Sequence, residues 1–364
     1  MNLELPPLLQ DLLNTPSPTG FECHIQRLIG ERFEGIAEHI EADVFGNLIL
    51  SVNQDGPRKV MLAGHCDQIG FLVKYISPEG YIYVDPLGGT DNGVIPGSNI
   101  VIHTDRGPVE GVVGRKPVAF QKQADREQIP DQEHIWIDIG ASSNQEALEA
   151  VAIGDYATFP LKSTRLLNNM ISAPGLDNKA GLYVCLEVLR RHAESNSDVA
   201  LSVASCVQEE IGSRGSVTAT SKVCPDVGLA IDVVPATDDP GFAVAPQNHP
   251  PCKLGGGPTI SAGPNTNRLV RKLLLQSASR QSLEYQEYPW GKTAPNDSKS
   301  IQTEGGGVAS GSVGIPQRNM HTPAEVVSLV DLESTIKLVL DFVRVAVDEQ
   351  HDFRPYYFRP NGIA

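Results

Sequence analysis

Histidines and carboxylates stand in this sequence where short apolar runs stop. His65 and Asp67 close KVMLAGHCD, Glu209 and Glu210 close LSVASCVQEE, and Asp232 closes VGLAID. His321 follows VGIP in VGIPQRNMH, and Asp177 sits in PGLDNKAG, a turn that feeds the next amphipathic stretch. Zinc, cobalt or manganese accepts imidazole nitrogen and carboxylate oxygen, and a catalytic ion keeps one coordination position for water. Two histidines and three carboxylates can serve two such ions if one carboxylate bridges. Each residue also has a plain structural reading: a hydrogen-bonded histidine, an N-cap at Asp177, a solvated pair at Glu209 and Glu210, a turn carboxylate at Asp67. The repeated strand-end placement favours chemistry, because ligands of open α/β sheets bind beyond the carboxyl ends of the strands.

Strands and helices must bring these residues together. KVMLAGHCD, VALSVASCVQEE and VGLAIDVV pass from an apolar run straight into a polar turn, as buried parallel strands do. NKAGLYVCLEVLRRHAES and DLESTIKLVLDFVRVAV read as amphipathic helices, the second with Asp331 as its N-cap. The alternation implies an α/β sheet covered by helices. From about Val73 to Lys162 the texture changes to short runs, YIYVD, NIVIHT, GPVEGVVG and HIWIDIG, separated by Gly, Pro and Asp turns. This stretch predicts a small all-β domain. With α/β segments on both sides it is an insertion, residues 73–162 within a parent domain of residues 1–72 plus 163–364. The glycines of GGGVASGS read as a flexible turn.

At 364 residues, with 40% hydrophobic and 20% charged content, the chain exceeds what one hydrophobic core usually organises. Its 29 basic and 44 acidic side chains leave a net charge of -15, which repels phosphate backbones and argues against nucleic-acid binding. MNLELPPLLQDLL has neither a basic leader nor a long apolar stretch, and no later segment has the length to span a bilayer. A cytoplasmic protein without membrane contact is expected. The six cysteines are scattered without a CxxC pair and are expected as reduced thiols. Cys66 is expected to point to the opposite face of its strand from its neighbours and to pack there.

In order and context, GHCDQIGFLV, GLDNKAG, VQEEIGSRGS, AIDVV and RNMHTPAEVV resemble the M42 family of metallo-aminopeptidases, and KLGGGP, VDPLGG and GVVGRKP are similar to its further landmarks. The resemblance covers nearly the full length. It implies a phosphorylase/hydrolase-like (zinc-peptidase) α/β/α catalytic domain interrupted by a small β-barrel-like dimerisation domain, with dimers assembling into tetrahedral dodecamers. Carried over residue by residue, it implies two divalent metal ions, zinc or cobalt, with His65 and Asp232 on one, Glu210 and His321 on the other, and Asp177 bridging both. Glu209 is then left as catalytic base, since a water shared by two ions loses a proton readily and an unligated carboxylate nearby can take it. Asp67 resembles the family's aspartate that accepts the other imidazole N–H of His65 and fixes the ring. By the same resemblance the Asp177–Asn178 peptide is expected to be cis.

Two segments depart from the family's pattern. They are VAFQKQADREQIP after GVVGRKP, and YPWGKTAPNDSKSIQTEGGG, where Asp297 is roughly in place. Details of the oligomer contact and the amino-acid preference therefore do not carry over. The expected activity is removal of amino-terminal residues from peptides. A di-metal amidohydrolase acting on N-acylated substrates would share the metal chemistry, and a non-enzymatic metal-binding assembly protein would share the fold. Glu209 has little use in a site that only binds.

Overall fold

In the computed structural model, which describes residues 3–56, 58–123, 128–195, 197–242, 249–348 and 350–354, parallel strands form the centre of the larger unit. In spatial order they are Ala200–Cys206, Lys59–His65, Val227–Pro235 and Ala309–Arg318. Antiparallel strands extend this sheet on both sides. Strand alternation sorts the side chains. Val60, Leu62, Leu201, Val203, Leu229 and Ile231 join the main core, where the helices Leu176–Glu194 and Leu329–Ala346 cover the sheet. Met61, Ala63, Ala204 and Ala230 face the other way, against Ala219 of the helix Arg214–Val223 and Ile301 of Ser298–Thr303. The first face carries larger residues, each contributing about 1.5–3 kcal/mol when fully buried. It anchors the sheet, and the alanine-rich face lets short helices approach closely.

The second unit is a closed barrel of short strands in the order Gly70–Ile76, Ile82–Leu87, Trp136–Asp138, Gly107–Val113, Asn99–Thr104 and Tyr156–Thr158. It has its own core, including Phe71, Val84, Ile100, Ile102 and Ile137. Phe71 meets Phe159 edge-on at 5.6 Å. Its first and last strands pair with each other, Phe71 opposite Ala157 and Leu72 opposite Tyr156. Residues 124–127 of the VAFQKQADREQIP segment lie outside the described residues.

Three local expectations need correcting. Ser328, not Asp331, caps the helix Leu329–Ala346: its Oγ accepts from the Val330 N–H at 3.2 Å. Asp331 lies in the first turn, fully buried, and accepts from the N–H groups of Gly255 and Gly257 in the KLGGGP loop at 2.7 and 2.9 Å. In GGGVASGS only the first part turns, since the strand Ala309–Arg318 already begins at the ASGS residues. Glycine serves close packing there: a Cβ on Gly311 would lie 2.8 Å from Val270 Cγ1. Asp232 does not end its strand, which runs on to Pro235. Pairing with the Lys59–His65 strand stops at Ala230, so Asp232 clears that neighbour and opens to the cleft.

All six cysteines are unpaired, and Cys66 is buried in the main core. Among the described residues, no helix is long and apolar enough to cross a membrane.

Candidate active site

The parallel strands share one direction, so the residues after them gather at one edge. Cys206 lies opposite His65 in the register, which sets Glu209 and Glu210 beside the His65–Asp67 turn. His65 Nε2 stands 3.2 Å from Asp177 Oδ1, 3.7 Å from Asp232 Oδ1 and 3.9 Å from Glu209 Oε2. His321 Nε2 stands 3.2 Å from Asp177 Oδ2 and 3.5 Å from Glu210 Oε2. Asp177 therefore gives one oxygen to each imidazole. Two groupings result, His65 with Asp177 and Asp232, and Asp177 with Glu210 and His321, each with donor atoms within 4.8 Å of one another.

The supports around these groups are as specific as the groups themselves. Asp67 is fully buried and lies against the far nitrogen of His65, Nδ1 to Oδ1 at 3.4 Å. It also accepts from the Thr19 hydroxyl at 2.8 Å and from the backbone N–H groups of Glu209 and Glu210 at 3.0 and 3.2 Å. One carboxylate thus links three segments of the site. The Asp177–Asn178 peptide is cis, as the family resemblance implies, and Asn178 donates to the Ile231 carbonyl at 2.8 Å beside Asp232.

Sequence reasoning missed Glu325. Buried in the strand Glu325–Ser328, it accepts from the Asp177 N–H and the His321 N–H, both at 3.0 Å. It lies in RNMHTPAEVV, but a glutamate before two valines reads as an ordinary strand residue. Its partner lies 148 residues away. Burial, then Asp177, pushes its carboxyl up to about 8. The barrel side adds backbone. The Gly89 carbonyl lies 2.7 Å from His321 Nδ1, and Gly88, at φ 85°, passes so close that a Cβ would sit 3.1 Å from Glu210 Cβ.

These carboxylates call for positive charge. Burial pushes Glu210 and Asp232 well above the usual carboxylate range, with Asp177 adding to both. Burial also acts against Asp177, but the hydrogen bonds with His321 and His65 outweigh it and hold that carboxyl far below its ordinary value. The Asp177 hydrogen bond in turn lifts His321 to about 10. Among the described residues, Glu210 Oε1 is buried with no hydrogen-bond partner. Imidazoles and carboxylates converging with an orphaned carboxylate oxygen are the donor set that borderline divalent cations accept, so the residues fit two such ions.

The groupings line a cavity of about 430 Å³. Away from them its wall includes Val233, Val234, Tyr288, Trp290 and Lys299, and the two aromatic rings are stacked with centroids 6.4 Å apart. The first part of YPWGKTAPNDSKSIQTEGGG, the segment that departs from the family's pattern, borders this space through residues that include Tyr288, Trp290, Asn296 and Lys299. Asp297 in that segment is buried, and burial followed by Glu209 raises its carboxyl to about 7.

Residues 46–338 match the model of the M42 glutamyl aminopeptidase family. The chain belongs to this family. As an M42 peptidase it is 34% identical to the lysyl aminopeptidase of Pyrococcus furiosus, over 91% of this chain and 94% of that one. The fold of this M42 chain is similar to that of a TET aminopeptidase from a marine-sediment Thaumarchaeota archaeon, with TM-score 0.87 and 28% identity over 93% and 95% of the two chains. It is also similar to the Pyrococcus horikoshii TET1 peptidase, which can assemble into a tetrahedron or a large octahedral shell, with TM-score 0.82 and 25% identity over 92% and 98%. The chain is thus a peptidase hydrolase of the M42 aminopeptidase family.

Proposed function

We propose that the chain removes the amino-terminal residue from peptides, with His65 and Asp232 holding one divalent ion, Glu210 and His321 a second, Asp177 shared between them, and Glu209 moving the proton. The observation that carries this reading is the asymmetry of the acidic groups: Asp177 divides its oxygens between both imidazoles, whereas Glu209 belongs to neither grouping yet faces the same cleft. Zinc or cobalt bound there would acidify a water and polarise the scissile carbonyl. Glu209 Oε2 accepts the proton of the water that attacks the carbonyl carbon. As the C–N bond breaks, the same oxygen passes that proton to the departing amine. Asp67 orients His65 through Nδ1 and holds the Glu209 and Glu210 backbone against it. The cavity wall beyond Val233 and Trp290 receives the first side chain, and the acidic rim favours a free α-amino group.

The unpaired cysteines support a reducing, cytoplasmic setting. Residues 73–162 expose Val112, Val118, Phe120 and Ile129, apolar side chains suited to the dimer contact from which a dodecamer is built. Assays of free-amine peptides against N-blocked ones test the activity: cleavage confined to blocked peptides overturns it in favour of a deacylase. Glu209→Gln with metal content unchanged tests the base, and undiminished hydrolysis removes Glu209 from that role.

A further inference from the structure

The two carboxylate oxygens of Glu209 have different surroundings. Oε2 is the oxygen near His65, whereas Oε1 accepts a 2.5 Å hydrogen bond from the Ser213 hydroxyl. Ser213 is fully buried, and among the described residues Glu209 is the one hydrogen-bond partner of its Oγ. Its backbone is left-handed, φ 53° and ψ 44°, a conformation that suits glycine and that a side chain disfavours. A hydroxyl is kept where glycine would relax the turn, and strain of this kind concentrates at functional sites.

The turn that carries the hydroxyl is fixed from several directions. The N–H groups of Gly212 and Ser213 both donate to the Glu209 carbonyl at 2.8 Å, and Gly215 donates to the Val207 carbonyl at 3.0 Å. The Ser213 carbonyl accepts from the hydroxyls of Ser216 and Ser300 at 3.0 and 3.1 Å. Gly215 packs so tightly that a Cβ would lie 2.4 Å from both Asn47 Oδ1 and the Val207 carbonyl oxygen. Ser213 Oγ is therefore a rigid donor to one oxygen of the Glu209 carboxylate.

We infer that Ser213 is a positioning residue for the peptidase reaction: its hydroxyl pins Glu209 Oε1 and so holds Oε2 toward the reacting water. The inference rests on the proton-transfer role of Glu209. General-base efficiency depends on the heavy-atom geometry of the transfer, and a misplacement on the order of 1 Å is costly.

Ser213→Ala and Ser213→Gly test it, with turnover of an aminoacyl amide, bound metal per subunit and thermal midpoint measured on each. The expected result is a kcat lower by about tenfold or more, with KM and bound metal unchanged. The glycine variant is expected to melt at or above the parent temperature, because it fits the left-handed backbone. Slow turnover in a sturdier protein separates positioning from folding. A kcat within about twofold of the parent in both variants, or a loss that follows raised KM or depleted metal, overturns the inference. Glu209→Gln measured alongside distinguishes the two levels. If it turns over like the parent, the proton-transfer role falls and this inference with it; if it is inactive while Ser213→Gly is not, the positioning role alone falls.

Discussion

The central parallel strands and the barrel reach the same cleft in different ways. The sheet supplies side chains: His65, Asp232, Glu209 and Glu210 lie in or just beyond its strands. The barrel supplies backbone, a carbonyl from Gly89 on His321 and the bare Cα of Gly88 beside Glu210. A parallel sheet can vary which side chain it presents at each strand end without moving its neighbours. A loop that must pass close beside Glu210 and His321 can do so without a side chain, and glycine is what remains.

Substitutions can break this contrast, beginning with Asp177→Ala. Both imidazoles lose their shared partner, so hydrolysis is expected to fall below detection and bound metal to drop at both positions, measured by metal analysis of the purified variant. Chelation of the parent should match that loss, and added zinc or cobalt should reverse it only in the parent. Glu209→Gln follows, with kcat reduced by about 10²–10⁴-fold and metal retained.

On the barrel side Gly88→Val should weaken metal binding by roughly 10–100-fold, the size expected for disturbing an outer support, because its Cβ meets Ile69 and Glu210. If Gly88→Val binds metal as the parent does, the barrel's backbone contribution is passive. Ile137→Ala, deep in the barrel core, should cost about 2–5 kcal/mol in chemical denaturation and leave kcat of the folded enzyme unchanged.

The smallest effect concerns pH. Burial pushes His103, stacked on Tyr156 in the barrel, down to about 4 from 6.5. Its folded value lies below its unfolded one, so the unfolded chain binds the proton first as pH falls. Stability is unaffected above pH 6.5 and declines between 6.5 and about 4. His103→Gln should flatten that part of a stability-against-pH curve without altering the rest.

Much of this arrangement was legible in the sequence, for physical reasons. An apolar run that stops at GHCD or VQEE can be seen without coordinates, since a buried parallel strand is apolar on both faces and its end is where polarity begins. The barrel strands betrayed themselves by their shortness and their turns. What stayed hidden depends on contacts between distant segments. Glu325 acts on Asp177 across the sheet, and its local pattern holds no trace of that. Asp331 looks like a cap until Ser328 is seen to take the free N–H, which leaves the aspartate to the KLGGGP loop. Gly311 looks like a turn residue until Val270 is found packed against it.

Because Phe71 faces Ala157 and Leu72 faces Tyr156, the chain enters and leaves the barrel through adjacent strands. An unstructured segment of the barrel's length would cost roughly 2 kcal/mol more in closure entropy than a connection of about ten residues. A barrel that folds early removes that difference and delivers His65 and Asp177 to each other as if they were near in sequence. The cleft groups on either side of the insert are then brought together at the closure cost of a short connection.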